Sequence, residues 1–458
     1  MTTRLQLSAQ RFRARRMMHA LVRGDVAMHD DPLRAQSVAI AIGAAVAAIG
    51  LVAGAVVTLV APQGVPESAP IVISRESGAL YVRVGDTLHP VLNLASARLV
   101  ARTAANPVPA GDRAIQESRR GPSMGIPGAP ASLGSPAPGA SWTVCDDERT
   151  VVAVDGSPLE DGLALRPVLV TPRGESAAVT YLLYDGRRAA VDLRNRAVVR
   201  ALRLNDVLPV PVSRALLDLV PEVPAIAAPP IPGAGEPGPA SLGGATVGSV
   251  VVVRRASDAD YYVVLRDGVQ LIGDVAADLI RFTYDRHARP VVAVAPAVIA
   301  AAPIAGPLPV GTFPRQAGTP VGLADRLPVC AQWRHRDAAA PTNVVVRAGR
   351  SPFDGPTDLV QADGNGPNVD AVVMAGGTSA YVRSASIVGD EAGAGGPRFL
   401  VTDAGVVFGV HDDDSATALG LSRPPQPAPW PILAHLPRGP ELSIAAASVV
   451  RDGLSPPS

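Results

Sequence analysis

The chain has 458 residues, and its 41 arginines balance 41 acidic residues, so the formal net charge at pH 7 is zero. A neutral chain lacks the basic surface that nucleic-acid-binding proteins present to phosphates, and we predict no nucleic acid among its partners. Aromatic residues make up only 3%, whereas there are 44 glycines and 46 prolines. This composition favours many short strands joined by turns and flexible segments.

The most apolar segment of the chain is the 24-residue run 38–61, in which Thr58 carries the only polar side chain. As a helix it would be about 36 Å long, enough to cross a bilayer once. A cleaved signal peptide, the alternative, has a shorter apolar region nearer the N-terminus. Arginines are concentrated before the run, which predicts a cytosolic N-terminus and export of residues 62–458. Those arginines are Arg4, Arg11, Arg13, Arg15, Arg16, Arg23 and Arg34, whereas residues 62–76 contain only Arg75.

The segment before the anchor is predicted to be a basic helix that ends at Gly24. Apolar residues fall at helical spacing at positions 14, 17, 18, 21 and 22. Its arginines suit two partners, anionic lipid headgroups and a cytosolic protein domain. The contact residues that we predict are Arg11, Arg15, Arg16 and Arg23.

Small residues recur at four-residue spacing inside the apolar run. Such residues let a second helix approach the backbone closely, so we predict helix packing in the membrane. The packing residues are Gly43, Ala47, Gly50 and Gly54.

Four stretches of the exported region combine two β-rich runs with a turn that contains Gly and Asp, followed by a helix-like tail. Asp-Gly between alternating apolar positions is a strong hairpin signal, because glycine accepts the positive φ that such turns need. A hairpin-plus-helix module that occurs four times is the simplest interpretation. The predicted hairpins span residues 81–92, 181–191, 262–272 and 399–410.

Prolines bracket two further segments, 211–221 and 430–440, and predict a two-turn helix in each, with proline at or near the first helical position. We expect the leucines of these helices to face a hairpin. Segments 221–244 and 295–320 are dense in Pro, Ala and Gly, and are interpreted as linkers or long surface loops.

The two cysteines, Cys145 and Cys330, have mirrored surroundings, with Trp142 three residues before the first and Trp333 three residues after the second. On the oxidising side of a membrane two such cysteines most often form a disulfide. Closing so long a loop would add about 4–5 kcal/mol in the chain-entropy model. A metal pair and a catalytic thiol are the alternatives, but both lack further ligands or a local Cys/His arrangement.

Two acidic loops, residues 363–370 and 411–414, invite comparison with metal sites. The first lacks the Gly and terminal Glu positions of an EF-hand, and the second has no other ligand cluster nearby in sequence. We interpret both as solvated acidic turns and predict no metal or cofactor. The seven histidines form no Ser/His/Asp or paired-carboxylate grouping, so we assign no catalytic residue.

Runs of distinctive sequence are spread over nearly the whole chain. They are RF at 11–12, RRM at 15–17, HALVR at 19–23, DPLRAQS at 31–37, RESGALYVRVGDTLHPVLNLASAR at 75–98, RGP at 120–122, GIPGAP at 125–130, WTVCD at 142–146 and LPRGP at 436–440. Together these runs resemble the EccB family, the single-span core subunits of mycobacterial type VII (ESX) secretion systems. One departure is at 374–383, where the family has a Pro-Pro-Gly turn and this chain has Ala375-Gly376, so we expect a looser turn there.

The resemblance implies an inner-membrane assembly with EccC-, EccD- and EccE-like partners and self-association of the exported region. It also implies an elongated α+β fold of repeats around a central β-rich domain stapled by Cys145 and Cys330. The boundaries that we predict are a cytosolic basic helix (1–37), a transmembrane helix (38–61), repeat 1 (62–124), the first segment of the central domain (125–160), repeat 2 (161–240), repeat 3 (241–320), the second segment of the central domain (321–375) and repeat 4 (376–458).

Some members of this family are described as ATPases, so nucleotide hydrolysis is a candidate activity. A P-loop needs a lysine that reaches the β- and γ-phosphates, and this chain contains no lysine. We therefore predict a scaffold for protein export rather than an enzyme. Two alternatives stay open: a cell-wall module that binds peptidoglycan, and an ectodomain that hydrolyses ATP at an unrelated site.

Overall fold

In a computed structural model of the chain, the described residues are 2–24, 32–60, 65–66, 68–137, 141–155, 159, 166–175, 179–255, 258–285, 290–335, 343–349, 353, 355–387, 396–421 and 423–451. The chain forms two compact units, Met1–Pro66 and Glu67–Ser458. The first contains helices α1 (Thr2–Arg23) and α2 (Pro32–Val60). The predicted basic helix is confirmed, and Gly24 after it has a φ of 66°, as expected of a glycine that ends a helix.

The second unit contains a central sheet and four groups of strands and helices, which we call modules 1 to 4. Module 1 consists of β1 (Ile71–Ser74), β2 (Leu80–Val84), β3 (Thr87–Val91), α3 (Leu94–Ala101), β4 (Val108–Ala110), α4 (Asp112–Glu117) and β5 (Ser123–Met124). After β6 (Ser135–Pro136), the central strands β7 (Ser141–Asp146) and β8 (Thr150–Asp155) follow. Module 2 consists of β9 (Val168–Pro172), β10 (Tyr181–Tyr184), β11 (Arg187–Ala190), α5 (Arg196–Ala201), β12 (Val210–Val212), α6 (Arg214–Leu219) and β13 (Glu222–Val223).

A 3-10 turn (Ala240–Leu242) precedes module 3. Module 3 consists of β14 (Val250–Arg254), β15 (Ala259–Leu265), β16 (Gly268–Ile272), α7 (Asp274–Tyr284), β17 (Val292–Ala293) and α8 (Pro296–Ala301). A second 3-10 turn (Leu323–Asp325) leads to the central strands β18 (Val329–Arg334), β19 (Asn343–Ala348), β20 (Thr357–Asp358) and β21 (Ala371–Val373). Module 4 consists of β22 (Thr378–Ala385), β23 (Arg398–Thr402), β24 (Val407–Val410), α9 (Asp413–Leu419), β25 (Gln426–Pro429) and α10 (Trp430–His435), and it is followed by α11 (Ile444–Ala447) and β26 (Val450–Arg451).

The four modules share one connectivity. Their first three strands form an antiparallel meander, a helix follows, and the fourth strand returns parallel to the first. A second helix then leads to a segment that bridges in parallel to the third strand. The predicted hairpins are the second and third strands of each meander, so all four hairpins are confirmed. The mixed α+β class is confirmed as well.

The turn of the module 2 hairpin shows why its residues are Asp185 and Gly186. Both have positive φ, 46° and 69°, the backbone conformation of a tight two-residue hairpin turn. A Cβ at Gly186 would also lie 2.1 Å from the carbonyl oxygen of Val344 in β19. Glycine is therefore required both by the turn and by its close approach to the central sheet.

The two helices of modules 2, 3 and 4 lie on opposite faces of the module's sheet. In module 3, Val250 packs in one core with Leu279 of α7, whereas the next residue, Val251, packs with Val298 of α8. Successive strand residues point to opposite faces, which makes module 3 a three-layer helix–sheet–helix unit. The same division holds in modules 2 and 4.

The modules pack against one another through equivalent helices. The first helices α3 and α9 join modules 1 and 4, the second helices α10 and α6 join modules 4 and 2, and the first helices α5 and α7 join modules 2 and 3. Modules 1 and 4 are further tied where the Arg98 guanidinium donates to the carbonyl of Leu419 at 2.9 Å and where β26 pairs with β5. The order of the modules in space is therefore 1–4–2–3.

The central sheet has the strand order β19-β18-β7-β8-β21-β20 and is built from two regions of the chain, one before module 2 and one after module 3. Helix α6 packs on strands β7 and β18. The core of this face also includes residues of α10, so the helix pair that joins modules 2 and 4 is seated on the central sheet.

The proline-bracketed helices differ in detail from the prediction. Pro211 lies in strand β12, and α6 begins instead after Ser213, whose hydroxyl accepts a hydrogen bond from the backbone N–H of Leu216. Pro431 does occupy the first turn of α10. The buried leucines of α6 share a core with Leu183 of the module 2 hairpin, as expected, and this core also includes residues of the central sheet and of α10.

Segments 221–244 and 295–320 are largely exposed and mostly irregular, as expected of surface loops, but they are anchored by buried side chains and are not free linkers. Ile226, Ile231 and Leu242 are buried in the first segment, and Ala302, Val310 and Phe313 in the second. These side chains belong to the cores of modules 2 and 3, so both segments are packed regions of the fold. In the turn around residue 375, the Thr378 N–H donates to the Ala375 carbonyl at 3.1 Å.

Candidate functional site

The predicted disulfide lies at the centre of the fold and is confirmed. Cys145 on β7 and Cys330 on β18 are directly opposite each other in an antiparallel pair, with a Cα–Cα distance of 4.1 Å and a bond between their sulfur atoms. Both are buried, and they lie 185 residues apart in the sequence. The bond therefore covalently closes the sheet that the two distant regions of the chain build together.

The opposite face of the same two strands carries a tryptophan pair. Trp142 and Trp333 are opposed in register and almost completely buried, at 1% and 0% exposure. Their rings belong to the core shared with α6 and α10. The mirrored sequence around the cysteines thus reflects antiparallel pairing, with the disulfide on one face and the tryptophans on the other.

A buried polar cluster, which the sequence did not reveal, lies where the central sheet meets module 2. The Asp146 carboxylate accepts hydrogen bonds from the Thr150 hydroxyl at 2.8 Å and from the Ser213 N–H, at the start of α6, at 2.5 Å. Burial raises the pKa of Asp146, and the Arg173 guanidinium opposes that shift. Asp146 therefore ties the central sheet to the first turn of α6.

Asp370 is the second buried acid of this cluster, and its interpretation as part of a solvated turn is wrong. It is completely buried, and its carboxylate accepts from the backbone N–H groups of Thr150, Asp363 and Gly364 at 2.7, 2.8 and 2.6 Å. Buried Arg173 donates to the carbonyl of Asp147 at 3.1 Å from the same region. These bonds fix loop 359–370 onto the sheet.

The other acidic loop, residues 411–414, is solvent-exposed as predicted but starts a helix. Asp412 is the N-cap of α9, and its carboxylate accepts from the Ser415 N–H at 2.7 Å. Hydrogen bonding from Ser415 lowers the pKa of Asp412. Among the residues that the structure describes, no group of three or more His, Cys, Asp or Glu side chains is arranged to hold a metal ion.

A cleft of about 680 Å³ lies between modules 2 and 3. Four aspartates and two arginines line it, and Arg166 is already paired with Asp325 at 3.8 Å. Burial, and after it the charges of Asp278 and Asp258, raise the pKa of Asp274 in the wall of the cleft. An excess of carboxylates repels polyphosphates, so the cleft lacks the electrostatics of a nucleotide site. The charged residues of the lining are Arg166, Asp185, Asp258, Asp260, Asp274 and Arg315.

The remaining predicted site residues lie on α1 and α2. Arg11, Arg15 and Arg16 are exposed on α1, while the Arg23 side chain is outside the described residues. On α2, one window long and apolar enough to cross a membrane, Gln36–Ala53, is found in the described region of the chain. Gly43, Ala47 and Gly50 are exposed within it; the surroundings of Gly54 are outside the described residues.

Comparison with known proteins assigns the family. The model of the family "Type VII secretion system ESX-1, transport TM domain B" matches residues 1–456. The chain belongs to the EccB family of type VII secretion systems. An EccB3 from Mycolicibacterium smegmatis, named an ESX-3 secretion system ATPase, is 38% identical over 479 residues, which cover 99% of this chain and 91% of that protein. An EccB5 from Mycobacterium tuberculosis, named an ESX-5 secretion system ATPase, is 34% identical over 99% of this chain and 94% of its own length.

Two solved structures of EccB-family assemblies have the same fold. A chain of an intact ESX-5 inner membrane complex is 32% identical, with a TM-score of 0.72 over 100% of this chain and 97% of that chain. A chain of the EccB3 dimer from the ESX-3 core complex is 35% identical, with a TM-score of 0.71 over 83% of this chain and 100% of that chain. The fold described above is therefore the EccB fold.

Proposed function

We propose that this EccB-family chain is a core subunit of a type VII secretion complex in the inner membrane, where it serves as a structural scaffold for protein export. The observation that carries the proposal is the match, over the whole chain, to a subunit of an intact ESX-5 inner membrane complex. The match extends beyond the sheets to the N-terminal helices, because it covers 100% of this chain.

The topology we propose has α1 in the cytosol, α2 across the membrane and the four modules in the periplasm. The concentration of arginines before residue 38 supports a cytosolic N-terminus. The Cys145–Cys330 disulfide supports a periplasmic location of the central sheet, since such bonds persist in oxidising compartments. We further propose that the modules are copies of one repeat, because their connectivity and their packing through equivalent helices are the same.

The partners we propose are EccC-, EccD- and EccE-like subunits and further copies of this chain. Exposed arginines on α1 offer charge-assisted contacts to a partner's acidic surface or to lipid headgroups. Small residues along α2 suit close packing against a second helix. We propose that another subunit of the complex supplies the energy for export. A structural role for this chain is consistent with its four modules and its disulfide-bonded central sheet.

Several relatives are named ATPases, so the scaffold proposal has to be weighed against hydrolysis. No lysine is present to reach the β- and γ-phosphates, and the described cleft is dominated by carboxylates. Both features favour a structural role.

The test is purification of the tagged full-length chain from membranes in mild detergent, followed by native electrophoresis and identification of the co-purifying proteins. We expect a large complex that contains EccC-, EccD- and EccE-like subunits. Recovery of this chain alone, under conditions in which those subunits still purify together, would contradict the proposal. Pelleting of the chain with purified sacculi in place of complex formation would favour the cell-wall alternative.

A further inference from the structure

The pairing of helices along the spatial order 1–4–2–3 leaves one helix of each end module unused. First helices pair with first helices and second helices with second helices, as in α3 with α9, α10 with α6, and α5 with α7. In module 1 the first helix, α3, packs against module 4, and the second helix, α4, lies outside these pairs. In module 3 the first helix, α7, packs against module 2, and the second helix, α8, lies outside them. These two second helices form the ends of the array.

The two ends have opposite chemical character. On α4, Arg113 and Glu117 form an exposed ion pair at 3.0 Å beside exposed Gln116. A polar outer face is how an array of repeats terminates in water. Module 1 therefore has the polar outer face of a terminal capping repeat.

The face of α8 is uncharged and apolar. Residues 290–311 contain no polar side chain. Val298 and Ile299 pack inward on the module 3 sheet, while Ala297, Ala300 and Ala301 stay exposed. Ile304, just after the helix, is 91% exposed, and Val292, just before it, is 63% exposed. Module 3 thus ends the array with an apolar face that solvent contacts.

We infer that the exposed face of α8 is a contact between two copies of this chain, with α8 of one copy packed against α8 of the other across a two-fold axis. The geometry has an internal precedent, because second helices α6 and α10 already pack on each other between modules 2 and 4. A two-fold contact places a surface against itself, and the uncharged α8 face meets no like-charge repulsion in such a contact. The other free end, α4, carries charges that the α8 face cannot pair.

This inference assigns a surface to the self-association in the proposed function, and it rests on that proposal. A face built from one short helix and its two flanks is small compared with a stable interface between free proteins. Two copies anchored side by side in one membrane complex meet at high effective concentration, so a small contact suffices there. The α8 contact therefore belongs to the assembled complex in the membrane.

Cysteine cross-linking in intact membranes tests this contact directly. The two native cysteines are joined to each other, so an introduced cysteine is the sole thiol. Full-length Ala297→Cys, Ala300→Cys and Ala301→Cys chains are oxidised and run on non-reducing gels, with Gln116→Cys on exposed α4 as the matched control. We expect a disulfide-linked dimer in at least one α8 variant, at about five-fold or greater yield over the control. No dimer at any of the three α8 positions, or equal yield at position 116, overturns the inference.

A charge test provides a second measurement. Ala300→Glu places two like charges across the axis and should lower dimer yield at a neighbouring Ala297→Cys by about five-fold or more. When both chains carry Ala297→Cys, mixing Ala300→Glu chains with Ala300→Arg chains should restore the cross-link as a heterodimer, because opposite charges then meet across the axis. If the apolar face inserted into lipid instead, no such rescue would be seen, and the inference would be overturned.

Native gels separate this contact from the proposed function. A complete complex without α8 cross-links refutes only the contact, whereas loss of the partner subunits refutes the proposed function.

Discussion

Trp142 lies directly opposite Trp333 in the β7–β18 pair, three residues from the disulfide on each strand. Because side chains alternate along a strand, three residues of separation put the indoles and the sulfurs on opposite faces. One face thus holds a covalent link and the other the aromatic core that supports α6 and α10. A single pair of strands secures both the central sheet and the contact between modules 2 and 4.

The first prediction concerns the disulfide. Replacing Cys145 and Cys330 together by alanine should lower the free energy of unfolding by about 4–5 kcal/mol, because a loop of 185 residues is no longer closed in the unfolded chain. Chemical denaturation of the purified chain measures the difference. The wild-type protein should yield one linked peptide pair by non-reduced mass spectrometry, and two alkylatable native thiols would rule the bond out.

The hairpins were predictable from sequence because their signals are local. Asp185-Gly186 specifies a tight turn with positive φ whatever surrounds it. The fourth strand of a module is different: Val108–Ala110 has three residues with Pro109 at its centre, and only its partner β1 makes it a strand. Asp370 was misread because its burial depends on Thr150, which is 220 residues away. Long-range packing, not turn chemistry, determines these features.

The second prediction concerns Asp370. Asp370→Ala removes the acceptor for three backbone N–H groups in a buried site, so the free energy of unfolding should fall by about 3–5 kcal/mol. Asp363→Ala, at an exposed position of the same loop, should cost less than about 1 kcal/mol. Denaturant titrations of both variants check this, and similar losses in the two would show that the buried carboxylate has no special role.

The third prediction concerns the pH dependence caused by Asp146. Burial raises the pKa of this carboxyl above its ordinary value of 3.8, so the folded protein holds the proton more tightly than the unfolded chain. The stabilising contribution is therefore complete below about pH 3.8 and is lost as the pH rises through the raised folded pKa. Asp146→Asn cannot ionise, yet it keeps an acceptor for the Ser213 N–H and gains a donor for the Thr150 hydroxyl.

We expect the stability of Asp146→Asn relative to wild type to increase as the pH is raised from about 3 to about 7, measured by denaturant titration across that range. A relative stability that falls with rising pH would contradict the assigned shift.

The fourth prediction concerns nucleotides. The purified chain should release no phosphate from ATP above background and show no ATP-dependent change in thermal unfolding, because it lacks a lysine and its described cleft is acidic. Asp274→Ala provides a specificity control, since it removes a carboxylate from the cleft. Saturable turnover that follows the wild-type protein through a second chromatography step, and that Asp274→Ala leaves unchanged, would establish a nucleotide site elsewhere in the chain.

The last prediction separates assembly from insertion. Replacing Arg11, Arg15, Arg16 and Arg23 by glutamine leaves the apolar run 38–61 unchanged and keeps Arg34 as an inside-positive signal, so the variant should still fractionate with membranes. The change removes four charges, together with guanidinium donors, from α1 and should weaken its contacts with a partner's acidic surface or with lipid headgroups. Native gels should therefore show several-fold less of the large complex, and secretion should fall with it.

The matched control replaces Arg83, Arg119, Arg187 and Arg194 of the second unit by glutamine, which removes the same number of charges but leaves α1 intact. If the α1 variant assembled and secreted as the control does, the arginines of α1 would serve only to orient the chain in the membrane.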